Sequence, residues 1–301
     1  MAFNYTFATF SLLLCFTLCL KLSSAALVQQ QPLILKYHNG PLLKGKFSVN
    51  LIWYGKFTPT QRSIIVDFIQ SLGSVAASPS VSSWWKITEK YKGGACNLIV
   101  GNQVIHENYP FGKTLKNSHL IGLIGLTSKP NNNGLNSIDI ILTAQDVAVE
   151  GFCSRCGSHG STGRVGSKKA YIWVGNSASQ CPGQCAWPFY QPLYGPQSPP
   201  LVAPNGDVDV DGMIINLATL LAGTVTNPFS DGYFQGPATA PLEAVSACTG
   251  IFGTGAYSGY PGRVLVDKAT GASYNAYGVN GRKYLLPAMW DPLKSACSTL
   301  V

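Results

Sequence analysis

Residues 181–237 read CPGQCAWPFYQPLYGPQSPPLVAPNGDVDVDGMIINLATLLAGTVTNPFSDGYFQGP. Two cysteines three residues apart lead into a loop rich in proline. An acidic turn, Asp207 to Gly212, then opens an apolar segment that stops at Asn227-Pro228. Proline cannot continue a helix, and a short acidic residue before an apolar run suits a helix N-terminus. The pattern predicts the main C-terminal helix over Met213 to Thr224. That segment carries no His, Cys, Asp or Glu able to do chemistry. The most informative stretch therefore speaks of architecture and names no reaction.

Working outward, Phe47 to Trp53 alternates as a strand, and Cys96 to Val104, Ile138 to Thr143 and Tyr171 to Val174 read as short buried strands of β-branched and aromatic residues. Thr58-Pro59-Thr60-Gln61 opens a helix: Thr58 as N-cap, Pro59 at N1 and Gln61 closing a capping box, with Ile64, Ile65, Phe68, Ile69 and Leu72 as its apolar face. Further helices are expected over Trp84 to Tyr91 and 112–126, and two strands, 263–266 and 283–288, flanking an Asn280-Gly281 turn. Interleaved helices and strands fit one α/β or α+β domain, with 151–208 as a loop-rich insertion pinned by disulfides.

Residues 7–20, FATFSLLLCFTLCL, followed by Ser23, Ser24 and Ala25, have the form of a secretory signal too short to be a membrane span. Cleavage is expected after Ala25, leaving 276 of the 301 residues (26–301) as a single exported domain with no membrane span. The chain is only 11% charged, against about 25% for an ordinary soluble protein. Its 32 glycines and 19 prolines imply many turns. The formal charge of +8 becomes +7 without Lys21. No dense basic run suggests nucleic acid, whereas dispersed positive charge outside a cell favours weak attraction to polyanions, including acidic cell-wall polysaccharide. The plain alternative is solubility alone.

Seven cysteines remain after the signal: Cys96, Cys153, Cys156, Cys181, Cys185, Cys248 and Cys297. Export makes disulfides the default, and an odd count leaves one thiol over. Cys96, alone in an apolar segment, is the candidate. The other six can pair in about 15 ways. The favoured arrangement joins Cys248 to Cys297 and cross-links the two close pairs. The same residues raise a metal question. Cys153-x2-Cys156-x2-His159 with Cys181-x3-Cys185 has zinc-ligand types, but outside a cell these cysteines are expected to be oxidised. Cys153 to Cys156 is also a C-x-x-C without the βαβ pattern of a thiol–disulfide exchanger.

Asp207-Val208-Asp209-Val210-Asp211-Gly212 resembles the start of a calcium loop, but its twelfth position is Ala218, which has no carboxylate. The alternative is a polar turn capping the next helix, with Asp211 near the positive end of the helix dipole. Of the four histidines, His38 in Tyr37-His38-Asn39-Gly40 and His159 in Cys156-Gly157-Ser158-His159-Gly160 are candidate functional residues; a lone loop histidine is more often structural. No H-E-x-x-H or G-x-S-x-G pattern occurs. Trp53 with Tyr54, and Trp84 with Trp85, are candidates for a sugar-stacking platform; core packing is the competing reading. No cofactor is called for.

The segments YHNGPLL, LIWYGKFTPTQRSIIVDFI, SVSSWWKITEKY, ILTAQDV, GFCSRCGSHG, YIWVGNS, QCPGQCAWPFYQP, APNGDVDVDGMIINLATLLAGTVTNPF and YLLPAMWDP together resemble the plant EXORDIUM / phosphate-induced protein family over essentially the whole mature chain. The resemblance implies a protein of the plant extracellular space linked to growth responses to brassinosteroid and carbon status, with no enzymatic activity to carry over. Its expected partner is an unknown extracellular protein or an acidic wall polysaccharide. A fainter resemblance is to zincin-type metallopeptidases with a helix reading H-E-x-x-E-x-x-T-D-P followed by an acidic-Cys segment. Thr226-Asn227-Pro228 would match T-D-P, and Glu243 to Cys248 the acidic-Cys segment. The metal-binding stretch then falls on Thr219-Leu220-Leu221-Ala222-Gly223, where every ligand and the general base are absent. This implies a zincin-like scaffold that has lost its metal site.

Overall fold

The computed structural model describes residues 32–127, 136–164, 168–192 and 194–301. The signal segment, residues 1–25, lies outside them. Ile34–Val301 forms one compact unit. In chain order its elements are β1 (Lys36–Tyr37), β2 (Gly45–Tyr54), α1 (Pro59–Leu72), α2 (Val81–Trp85), a 3-10 turn (Lys86–Lys90), β3 (Cys96–His106), β4 (Thr114–Leu115), α3 (Asn117–Thr127), β5 (Asn136–Thr143), β6 (Ala148–Val149), β7 (Gly157–Thr162), β8 (Lys169–Gly175), α4 (Pro182–Cys185) and α5 (Val208–Thr226). Short pairs follow: β9 (Tyr233–Phe234), β10 (Leu265–Val266), β11 (Ser273–Tyr274), β12 (Ala276–Tyr277), β13 (Lys283–Tyr284), β14 (Met289–Asp291) and β15 (Ala296–Ser298).

The centre is a five-stranded sheet in the order β3-β2-β5-β8-β7. The first four strands run parallel and β7 closes the edge antiparallel to β8. Parallel strands covered on their faces need continuous apolar residues. Ile138, Ile140, Ile141, Leu142, Ile172, Trp173 and Val174 are accordingly fully buried. Helix α1 covers β3, α5 covers β8 and β7, and the two helices touch. α5 is long and apolar enough to cross a membrane by composition, but most of it is buried here as a core helix.

Local chemistry explains where the elements begin. Thr58 accepts from Gln61 N and the Gln61 side chain accepts from Thr58 N, so α1 starts at Pro59 as the capping box predicts. Asp207 caps α5 by accepting from Val210 N, and Asp211 lies in the helix's first turn, near the positive end of its dipole as expected. The Asp207 cap extends the helix five residues ahead of the expected Met213.

Four expectations change. The helix expected over 84–91 begins at Val81, because Ser80 and Ser83 cap each other, and then tightens into the 3-10 turn. The segment 112–126 divides into β4 and α3. The Asn280-Gly281 turn joins β12 to β13, while 265–266 pairs with β11 instead. Finally, 151–208 is not an insertion: it contributes β7 and β8 to the central sheet, and only 176–207 is loop-rich. Its glycine-rich edge strand, Gly157-Ser158-His159-Gly160, lacks the apolar alternation by which a strand is read from sequence.

The disulfides are Cys153–Cys181, Cys156–Cys185 and Cys248–Cys297, and Cys96 is a free, buried thiol. The first two tie the entry of β7 to α4. α4 in turn packs on α5 at Gly212, where a Cβ would lie 2.9 Å from Ala186. Asn216 adds a hydrogen bond to the Cys185 carbonyl (2.8 Å).

Candidate functional site

Side chains alternate across a strand, so Gly157, His159 and Ser161 share one face of β7. That face meets α5, since a Cβ on Gly157 would come 2.6 Å from Leu220. His159 therefore points at the helix, where Gly223 makes room. A Cβ at 223 would lie 2.6 Å from Glu243 Oε2 and 3.2 Å from His159 Nε2.

Into this gap the imidazole and the carboxylate fit together, with His159 Nε2 2.8 Å from Glu243 Oε2 and the side chains only 12% and 11% exposed. Asn227, just past the end of α5, donates from Nδ2 to Glu243 Oε1 (2.6 Å) and accepts from Gly232 N at Oδ1 (2.8 Å). Ser246 Oγ accepts from Glu243 N (2.8 Å). The constellation is thus locked by residues from β7, the end of α5 and the 243–246 turn. His159 Nδ1 is buried and has no hydrogen-bond partner among the described residues. Among these residues no hydroxyl, thiol or carboxylate lies within hydrogen-bond distance of it, as a group activated by a base would.

His38 does not join this group directly. It is exposed, stacks on Phe234 (3.8 Å between centroids), and donates from its backbone N to the Gly232 carbonyl (2.8 Å). Gly232 alone links it to Asn227.

The tryptophan platform is overturned. Trp53, Trp84 and Trp85 are 0%, 1% and 4% exposed, and their indole N–H groups donate to Gln103, to the Pro287 carbonyl and to the Cys96 carbonyl. Each is a core residue with its one polar atom satisfied.

The acidic turn does not converge on a common point. Asp207 accepts from Val210 N and from Gln61 Nε2 (3.0 Å). Asp211, a turn further on, accepts from Asn205 N (2.8 Å) and Asn205 Nδ2 (2.7 Å). Burial pushes the Asp211 carboxyl up to about 7 against those two donors. Among the described residues, no group of three or more His, Cys, Asp or Glu is placed to hold a metal ion. The cysteines beside His159 are in disulfides, which removes the thiolates a zinc site would need.

A cavity of about 530 Å³ lies near Asp211, lined in part by Asn205, Thr270, Asn280, Arg282 and Lys283. Its cations are engaged: Arg282 Nε donates to Asp67 Oδ2 (3.0 Å), and Lys283 pairs with Asp267, holding that carboxyl below its ordinary range.

Sequence reading singled out His159 but not its partner. Glu243 lies 84 positions away, and the only sign of proximity was the faint alignment that placed Asn227 and the Glu243 segment in one motif.

The comparisons agree over nearly all of the chain. Residues 35–300 match the family described as Phosphate-induced protein 1 conserved region. The chain is 67% identical to Protein EXORDIUM-like 2 of Arabidopsis thaliana, over 100% of both chains. It is 60% identical to Protein PHOSPHATE-INDUCED 1 of Nicotiana tabacum, over 92% of this chain and 91% of that one. To Protein EXORDIUM of Arabidopsis thaliana it is 56% identical, over 94% and 95%. No solved structure matches it. Matched over residues 35–300 by the family and over 92% or more of its length by these relatives, this chain belongs to the EXORDIUM / phosphate-induced protein family.

Proposed function

We propose that the protein acts outside the cell, in growth responses of the kind linked to brassinosteroid and carbon status, and that it acts by binding rather than by catalysis. Family membership supports the growth-related role, and three disulfides are compatible with an oxidising compartment. The observation that carries the non-enzymatic reading is the locked state of the His159–Glu243–Asn227 group. Its carboxylate is held from both sides, its imidazole Nδ1 has no hydrogen-bond partner among the described residues, and Thr219 to Gly223 beside it offers no ligand or base.

We further propose a zincin-like scaffold in which apolar packing has replaced the metal centre. Asn227 hydrogen-bonds to Glu243, so the two segments aligned to that motif lie side by side, and the imidazole rests on the last residue of the stretch where ligands would stand.

The test is a hydrolysis panel of peptide, ester and glycoside substrates with the mature protein. No turnover above buffer is expected, and His159→Ala should change stability alone. The competing reading, a hydrolase built on His159, requires turnover that survives chelation and disappears in His159→Ala with the fold intact. The N-terminus of protein recovered from culture medium tests export separately; a start near residue 26 is expected.

A further inference from the structure

The acidic residues are absent from long parts of this chain: none occurs in 1–66, 90–106, 151–206 or 212–230. In sequence these gaps look unrelated, and the lysines within them look scattered. The fold brings five of them, Lys44, Lys46, Lys92, Lys168 and Lys169, to one end of the described unit, where the parallel strands begin and α5 finishes. Leu43 N donates to the Val225 carbonyl at the end of α5 (3.1 Å), and Gly45 N to the Ala95 carbonyl (2.9 Å). The Leu42 side chain fills the space beside both Gly93 and Gly232.

The pairing register locates the lysines. Ser48 pairs with Ser137 on β5, and Asp139 with Tyr171 on β8. Lys169 thus lies level with Ser48, two strands or about 10 Å away. Lys46, paired with Asn97, stands two residues nearer the strand ends. Lys168 lies over the Phe229 ring (5.2 Å) just beyond α5, and Lys92 over Tyr37 (4.8 Å).

Lys44, Lys46, Lys92, Lys168 and Lys169 are all exposed, and none is ion-paired among the described residues. Of the carboxylates on neighbouring segments, Glu89 is exposed three residues before Lys92, and two others are turned inward. Asp139 is buried and accepts from Asn50 (2.8 Å), and Asp231 packs on Gly40. Like charges gathered with little counter-charge lower stability slightly and raise the local concentration of polyanions.

We infer that this lysine-lined end of the molecule is a docking surface for an acidic, carboxylate-bearing polysaccharide. The inference rests on the extracellular reading above and assigns it a surface. Charge complementarity sets the sign of the partner. The array runs along the ends of several strands rather than into a pocket, which suits a linear polymer over a small anion. It consists of lysines, point charges that meet single carboxylates, rather than the guanidinium forks that read phosphate in two-pronged fashion.

The test uses the mature chain with de-esterified polygalacturonate, its methyl-esterified form and a neutral glucan of similar length. Binding is expected only to the first and should weaken as salt rises. The quadruple variant Lys44→Gln, Lys46→Gln, Lys168→Gln, Lys169→Gln should weaken it by at least about tenfold, and a control of equal charge at Lys56, Lys116, Lys268 and Lys294 by less than about threefold. Circular dichroism checks the fold, and the 44/46 and 168/169 pairs made separately serve if the quadruple variant does not fold. Equal weakening by patch and control overturns the proposal, as does binding to anionic vesicles or duplex DNA in preference to polygalacturonate, or no binding at all. None of these outcomes bears on export, which the N-terminus of the secreted protein reports.

Discussion

Gly223→Ala gives the sharpest test of the site geometry. Elsewhere in a helix, alanine is more favourable than glycine by about 0.5–1 kcal/mol. Here the new methyl would stand 2.6 Å from Glu243 Oε2 and 3.2 Å from His159 Nε2. The carboxylate cannot retreat easily, because Asn227 holds its other oxygen and Ser246 its backbone. Overpacking of this kind costs about 1–3 kcal/mol. A net loss of about 1–2 kcal/mol is therefore expected once helix propensity is set against it.

The sign should reverse when the obstacle is removed. In a Glu243→Ala background the nearest remaining atom is His159 Nε2, at 3.2 Å, a distance a side chain can yield, so Gly223→Ala should stabilise by about 0.5–1 kcal/mol. Urea unfolding of the four oxidised proteins gives the complete cycle, and a coupling of about 2 kcal/mol is expected. If Gly223→Ala is neutral or stabilising in the parent, or has the same effect in both backgrounds, the carboxylate–imidazole pair does not sit on the helix and the site as described is wrong.

Two other outcomes follow from buried groups. The folded-state value of Asp211 lies above its ordinary 3.8, at about 7, so the native chain keeps a proton that the unfolded chain has lost. Stability on this account is greatest below about pH 4, falls as pH rises to about 7 and is level beyond; Asp211→Asn should gain on the parent over that window, by roughly 4 kcal/mol at most from about three pH units at roughly 1.4 kcal/mol each. Urea midpoints measured from pH 4 to pH 8 check this, and parallel curves for parent and variant would refute it. Burial pushes the Cys96 thiol up to about 12, so native protein at pH 8 should show essentially no reaction with a thiol reagent and one equivalent after unfolding without reductant. A fast-reacting thiol in the native state would contradict the burial.

Much of the local structure was legible in the residues. The capping box at Thr58 and Gln61 and the stop at Asn227-Pro228 act within one helical turn, so the sequence alone carries them. Strands β2, β5 and β8 were readable because burial on both faces demands runs of apolar residues; β3, expected to be buried, is an edge strand buried only at Cys96 and Leu98. The edge strand β7 was not, because glycine, serine and histidine can pair with a neighbour without displaying a strand pattern. Trp53, Trp84 and Trp85 illustrate a different limit. Their size and aromatic faces suit a core and a sugar platform equally, and only the packing around them distinguishes the two.

By itself, then, the sequence determined the family, the odd cysteine, the α/β character and the long helix, since these depend on composition, spacing and interactions a few residues long. The tertiary structure decided that His159 meets Glu243 across Gly223, and that lysines from three separate segments share one end of the sheet. Those relations join residues tens of positions apart. They depend on strand order, register and crossover, which no local periodicity encodes.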